Sequence, residues 1–238
     1  MRLDKFLADM GVGSRSDLKK DIRGGKVVID GKMIKDPGFA VPEGAQVLYK
    51  GQKVAYEEFV YYMLNKPAGA ISASEDPKQK TVIDLLDERK RKDLFPVGRL
   101  DKDTEGLLLI TNDGELAHQL LSPKKHVDKV YYARIEGRVT EEDVEKFRAG
   151  LQIGEDFTAM PAQLEILASG DTSEIKVTIQ EGKFHQVKRM FHAVGKEVVY
   201  LKRLSMGTLL LDESLAPGAY RRLTDEELAG LKGHWGDR

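Results

Sequence analysis

The sequence predicts an α+β fold in two parts, a small helix–helix–hairpin unit followed by a larger strand-rich one. Three observations carry this. The first fifty residues give two helices and a tight hairpin within a domain-sized stretch. The remainder mixes helices irregularly among many strands, without the regular β-α-β alternation of a doubly wound sheet. Length and composition agree: 238 residues, 41% hydrophobic and 32% charged, suit a small domain plus a larger one.

Leu3, Phe6, Leu7 and Met10 recur at helical spacing, and Gly11 and Gly13 end that helix. Ser14 opens a second helix, with Asp17 completing a capping box, Leu18 and Ile22 on its apolar side and Gly24-Gly25 at its end. Two short apolar runs flank Asp30-Gly31, a hairpin signature. Pro37 to Phe59 reads as a strand, a turn at Glu43-Gly44, a strand at 47–49 and a linker. The domain boundary falls at Glu57, giving residues 1–57 and 58–238.

Val60 to Leu64 is a strand that runs into Asn65-Lys66-Pro67-Ala68-Gly69, read as a structural Pro-Gly turn. Thr81 caps a short helix bearing Val82, Leu85 and Leu86. The chain is organised around 97–114. Leu107 to Ile110 is a buried strand closed by Asn112-Asp113-Gly114. Before it, Arg99, Asp101, Lys102, Asp103 and Glu105 crowd between Gly98 and Gly106. Such a cluster is either a solvated turn or a loop presenting a reactive group. Helices follow at 114–121 and, capped by Thr140 with Asp143, at the segment carrying Val144 and Phe147. Strands are expected at 129–135, 162–167, 175–179, 198–204 and 208–211. A helix from Phe184 to Val194 has Val187, Met190, Phe191 and Val194 as its apolar stripe, and Thr224 with Glu227 caps a last short helix.

Cys is absent, which excludes a disulfide framework and any thiolate nucleophile or metal site. The apolar runs are too short to span a membrane, and the opening residues lack a signal core. A cytoplasmic protein is expected. Net charge is −1, but the charge is unevenly spread. Residues 1–35 hold nine Lys/Arg against five Asp/Glu, and 180–203 hold six against two. Arg15, Lys19 and Arg23 are four apart and share a helix face. With Arg2, Lys5 and Lys20 they form a candidate phosphate-contacting surface. The five histidines lack metal-ligand spacing. Ser122 and His126 lie close together, but no Gly-x-Ser-x-Gly elbow accompanies them.

The segment Gly98-Arg99-Leu100-Asp101, continued by Thr104, Gly106-Leu107-Leu108-Leu109 and Thr111-Asn112-Asp113-Gly114, resembles the catalytic-loop motif of the pseudouridine synthases that modify ribosomal RNA. The segments 65–69 and 181–190 resemble two further motifs of that family. Arg2-Leu3-Asp4, Gly11, Ser14-Arg15, Ile22, Gly25, Val27 and Asp30-Gly31 resemble the S4-type RNA-binding domain over residues 1 to about 46. That family commonly has Asn before the hairpin glycine and Ala where Leu18 or Lys19 stands.

The resemblance implies an S4-like unit joined to a catalytic domain built on a mostly antiparallel mixed sheet with flanking helices. It assigns catalysis to Asp101. A carboxylate acts as nucleophile or base only when ionised, and a dry pocket disfavours its charge unless a cation lies close. The family places that cation two residues after Gln186, at Lys188. Arg99, two residues from Asp101, is the weaker alternative. Tyr131, in Lys129-Val130-Tyr131, matches the tyrosine that stacks on the target base, and Tyr132 should face the other way. Leu201 matches an apolar pocket position. From charge and proximity in sequence, Arg99, Lys102, Arg189 and Arg203 are further candidates for phosphate contact. No cofactor and no metal are required.

The implied partner is ribosomal RNA. The opening residues and the direct join look most like the small-subunit branch, which implies uridine 516 of 16S rRNA in a small-subunit assembly intermediate. Enzymes acting on 23S rRNA share every motif. A different class, a non-catalytic ribosome-assembly factor, would not need Asp101, Tyr131 and Lys188 together. A single site with its own RNA-binding module requires no partner subunit, so a monomer is expected.

Overall fold

The computed structural model describes residues 1–54, 58–87, 91, 93–155 and 157–233. The expected boundary at Glu57 lies outside them. The chain separates into two compact units, Met1–Val60 with Leu86–Leu94, and Tyr61–Leu85 with Phe95–Arg238.

In the first unit, helices α1 (Leu3–Asp9) and α2 (Arg15–Arg23) pack on a four-stranded antiparallel sheet. Its strands are β1 (Val27–Ile29), β2 (Lys32–Ile34), β3 (Val47–Tyr49) and β4 (Gln52–Val54), in the order β2-β1-β3-β4. Ser14 caps α2 as its sequence indicates, accepting from the Asp17 amide at 3.3 Å and donating to the Asp17 carboxylate at 2.6 Å. Asp30 and Gly31 both have positive φ, the geometry of the tightest hairpin turn. Leu3, Phe6, Leu7, Leu18, Ile22, Val27, Ile29 and Val47 form the core. Two expectations are corrected. The strand after Pro37 is only an isolated bridge from Ala40 to Arg2. The stretch after Tyr49, read as a linker, turns at Lys50-Gly51 into β4.

The second unit is built on one large sheet. Its strands are β5 (Tyr61–Lys66), β6 (Phe95–Pro96), β7 (Glu105–Thr111), β8 (Lys129–Glu136), β11 (Gln163–Ala168), β12 (Thr172–Ile179), β13 (Glu197–Met206), β14 (Leu209–Leu210) and β15 (Tyr220–Arg222). A separate hairpin pairs β9 (Gln152–Gly154) with β10 (Phe157–Thr158). The sheet runs β11-β12-β8-β13-β7-β5-β15, with β6 on β7 and β14 on β13. The pairings are antiparallel except β13 with β7, which run parallel through Lys202–Glu105 and Arg203–Gly106. This is the mostly antiparallel mixed sheet that the sequence implied.

Among the described residues four α-helices flank it: α3 (Gly114–Leu121), α4 (Glu141–Ala149), α5 (Gln186–Ala193) and α6 (Asp225–Gly233). Alternation along β5 and β7 puts Tyr61, Met63, Leu107 and Leu109 into one core with Leu116, Ala117 and Leu120 of α3. Asp113 fixes that helix start, accepting from the Leu116 amide at 3.0 Å and the Tyr61 hydroxyl at 2.7 Å. Phe147 of α4 packs on Phe191 of α5, ring centroids 4.8 Å apart. The helix expected at Thr81 is a single 3₁₀ turn, Ile83–Leu85. The helix expected from Phe184 begins two residues later, because His185 is left-handed. No described helix is long and apolar enough to cross a membrane.

Candidate active site

Strand β7 delivers the charged loop, and the segment after β5 seats it. Lys66 at the end of β5 is fully buried, and its ammonium donates to the carbonyls of Thr104 (2.8 Å), Pro67 (3.1 Å) and Lys102 (3.3 Å). The Gly69 amide donates to the same Lys102 carbonyl at 2.7 Å. Ser72 grips Leu100 from both sides, accepting from its amide at 3.0 Å and donating to its carbonyl at 2.9 Å. The Thr104 amide donates to the Asp101 carbonyl at 3.1 Å, closing a turn. The backbone around Asp101 is therefore fixed by partners on a separate strand end.

The loop leaves into β7 through Gly106, whose φ is +97°. A Cβ there would overlap the Arg203 carbonyl oxygen and sit 2.8 Å from the Arg203 nitrogen. Glycine is what lets β13 lie alongside β7 at this point. The Arg203 Nε then donates to the Leu107 carbonyl at 2.8 Å.

The opposite wall is the start of α5. Buried Gln186 donates to Glu181 at 2.9 Å and accepts from the Lys183 amide at 2.9 Å, while Glu181 also accepts from the Met160 amide at 2.7 Å. This bracing holds the turn before the helix and places Lys188 over the loop. Its Nζ lies 3.1 Å from Asp101 Oδ2 and 2.7 Å from Asp103 Oδ1. His185 Nε2 lies 3.5 Å from Asp101 Oδ1, too far for a hydrogen bond.

Arg99, Asp101, Tyr131, Lys188 and Leu201, all singled out from the sequence, line one small hollow. Tyr131 and Leu201 are nearly buried on adjacent strands, and Tyr132 points to the other face against Tyr200. The hollow is about 50 Å³, room for one or two waters. Asp101 also borders a much larger cavity of about 1050 Å³. Arg99, Lys102, Lys129, Lys183 and Lys188 give that cavity a cationic lining against Asp101 and Asp103. Among the described residues no group of three His, Asp or Glu side chains converges as a metal site.

Two phosphate candidates are corrected. Arg203 is only 2% exposed, because its strand is paired on both sides. Arg189 turns back onto the carbonyls of Ile153 and Phe184. Lys102 is exposed, bonded to Gln79 at 3.0 Å. In the first unit, Arg15, Lys20 and Arg23 are exposed, whereas Arg2, Lys5 and Lys19 pair with Asp4 or Asp9. Sequence reasoning missed Lys66, Ser72, Glu181 and Gln186 as the groups that position the site. A signal existed for Lys66: a lysine ending an apolar strand is a buried-polar position that requires partners.

Burial pushes the Lys66 ammonium down to about 8, against the pull of Asp103, Asp101 and Glu105. Burial also pushes Lys129 down to about 8, aided by Arg203 and opposed by Asp128 and Glu181. For Lys188, burial is outweighed by its bonds to Asp103 and Asp101, and its pKa rises. The hydrogen bond from Lys188 holds the Asp103 carboxyl below its ordinary value. A lysine titrating near 8 when folded and near 10.5 when unfolded costs stability at neutral pH, and the cost fades as pH rises between those values. Lys129 makes one bond, to the Val127 carbonyl at 3.0 Å. Lys129→Met should therefore stabilise the protein by about 1–2 kcal/mol at pH 7. The gain should shrink steadily from pH 8 to 10.5 in urea unfolding. Parallel stability curves would contradict it.

A carboxylate held by a lysine beside a tyrosine-lined hollow and a cationic cavity is a site with the groups for acid–base or nucleophilic chemistry. Residues 60–193 match the RNA pseudouridylate synthase family model and residues 1–47 match the S4 domain, and the chain belongs to that synthase family. It is 54% identical to the RNA pseudouridine synthase YtzG of Bacillus subtilis (strain 168), over 96% of this chain and 97% of that protein. It is 42% identical to ribosomal small subunit pseudouridine synthase A of Salmonella typhimurium, over 97% of this chain and 100% of that one. A crystal structure of a pseudouridylate synthase superposes with a TM-score of 0.68 at 38% identity, covering 97% of this chain and 99% of that chain.

Proposed function

We propose that this chain isomerises a uridine of small-subunit ribosomal RNA, uridine 516 of 16S rRNA, to pseudouridine. Asp101 is the group that acts on the nucleotide, as nucleophile or base, and Lys188 is its cationic partner. Tyr131 stacks on the base and Leu201 packs beside it. The N1–C1′ bond breaks, the base turns, and a C5–C1′ bond forms; the C5 proton leaves and N1 takes one up. The observation that supports these roles is the 3.1 Å ammonium–carboxylate contact at the mouth of the Tyr131 hollow. Full-length similarity to enzymes named for the small subunit supports the target. Residues 1–57 serve RNA binding and 58–238 the chemistry. Arg15, Lys20 and Arg23 contact phosphates from the first unit, Arg99 and Lys102 from the second. The protein acts as a monomer in the cytoplasm on an assembling small subunit.

Pseudouridine mapping tests the target. Purified protein should convert one uridine in protein-free 16S rRNA or in a small-subunit assembly intermediate, and none in 23S rRNA. Conversion confined to 23S rRNA would overturn the small-subunit assignment.

A further inference from the structure

Phe184 has no part in the roles given above, yet it is 67% exposed and lines the large cavity beside Asp101. An aromatic ring exposed at the rim of a cavity with cationic groups in its lining offers a face on which a flat ligand can stack. Its inner face is already stacked on His185, with centroids 3.7 Å apart and planes at 19°. The turn that presents the pair is built with care. His185 is held at φ +50°, a strained value for a non-glycine residue, by the buried Gln186–Glu181 bracing. The outer face of Phe184 is left open to the cavity.

We propose that this open face is a stacking platform for a second unpaired RNA base, the immediate neighbour of the uridine that turns in against Asp101. The inference rests on the reading that this chain, like its family, acts on RNA. Three observations favour a base as the occupant. The cavity, at about 1050 Å³, is at the upper end of the ~300–1,000 Å³ range of ligand pockets, large enough for a nucleotide base and its flanking backbone. Its rim carries the exposed Lys102, Lys183 and Arg99, which suit the phosphates on either side of a stacked base. The stacked pair stands beside the carboxylate, with His185 Nε2 3.5 Å from Asp101 Oδ1, so Phe184 lies within a nucleotide's reach of the reacting group. Turning one base out of a helix leaves its neighbour without a stacking partner. An aromatic face restores that contact for any base, since each has a π surface.

The test uses the full-length protein and two short RNAs spanning a uridine that it isomerises, with 2-aminopurine on the 5′ side in one and the 3′ side in the other. Wild type, Phe184→Ala, Phe184→Leu and Phe184→Trp are compared. In one of the two RNAs, stacking should quench 2-aminopurine fluorescence with wild type and Phe184→Trp. The signal should remain high with Ala and Leu, and their Kd should rise about tenfold. Leu keeps the apolar surface but not the ring, which separates stacking from simple burial. Equal quenching by all four proteins, or Kd values for Ala and Leu within about twofold of wild type, would overturn the platform. Tritium release from the same RNAs by wild type and Asp101→Asn fails separately if the reading of the site itself is wrong.

Discussion

Asp101→Asn is expected to abolish isomerisation while leaving RNA binding in place. Asparagine keeps the shape of the side chain but carries no charge, so it cannot bond to the sugar or base or take a proton. The fall in kcat should exceed about 10³-fold, equivalent to at least about 4 kcal/mol of barrier. Binding should survive because the cations of the cavity are untouched and Lys188 retains its 2.7 Å contact with Asp103. Tritium release from C5-labelled uridine gives the rate, and filter binding gives Kd. Release by the variant within tenfold of wild type would remove Asp101 from the mechanism.

Gly106→Ala is expected to have the largest effect on stability. The residue sits at φ +97°, where a side chain alone costs about 1–3 kcal/mol. The added methyl would also overlap the Arg203 backbone, and backbone of a paired strand cannot swing aside as a long side chain can. The sum should exceed about 4 kcal/mol, with β13 displaced from β7. Gly114→Ala is the matched control. Nothing lies within 4 Å of its added carbon, and it begins α3, where alanine suits the helix. Urea unfolding should show the control at or slightly above wild type. A Gly106 variant within about 1 kcal/mol of wild type would contradict a close crossing of β7 and β13 at this residue.

The parts legible in the sequence are those written in local chemistry. Ser14 with Asp17, Thr140 with Asp143, and Thr224 with Glu227 each announced a helix start, and each pair bonds as its spacing indicates. Asp30-Gly31 announced a turn for the same reason. Lys50-Gly51 makes an equivalent turn, but lysine is a poor advertisement for positive φ, so β4 passed as linker. β15 gave no signal because its three residues gain their place only by pairing with β5, far earlier in the chain. The site shows the same division. Asp101, Tyr131 and Lys188 stood out through motif resemblance, and the structure gathers them around one hollow. Lys66 hid inside what looked like a plain Pro-Gly turn. Arg203 looked like surface charge because nothing in its neighbourhood reveals that β8 and β7 close over it. Partners contributed by distant strands are what a local pattern cannot display.

The parallel contact between β7 and β13 has a consequence during synthesis. Asp101 and Lys188 both leave the ribosome before β13 does. Yet the strand that carries α5 to the aspartate, Glu197–Met206, follows both of them. A nascent chain ending before Glu197 has both halves of the ion pair but lacks the strand that joins β8 to β7. The half-sheet bearing Tyr131 and the half-sheet bearing the Asp101 loop are thus joined only once β13 has been made.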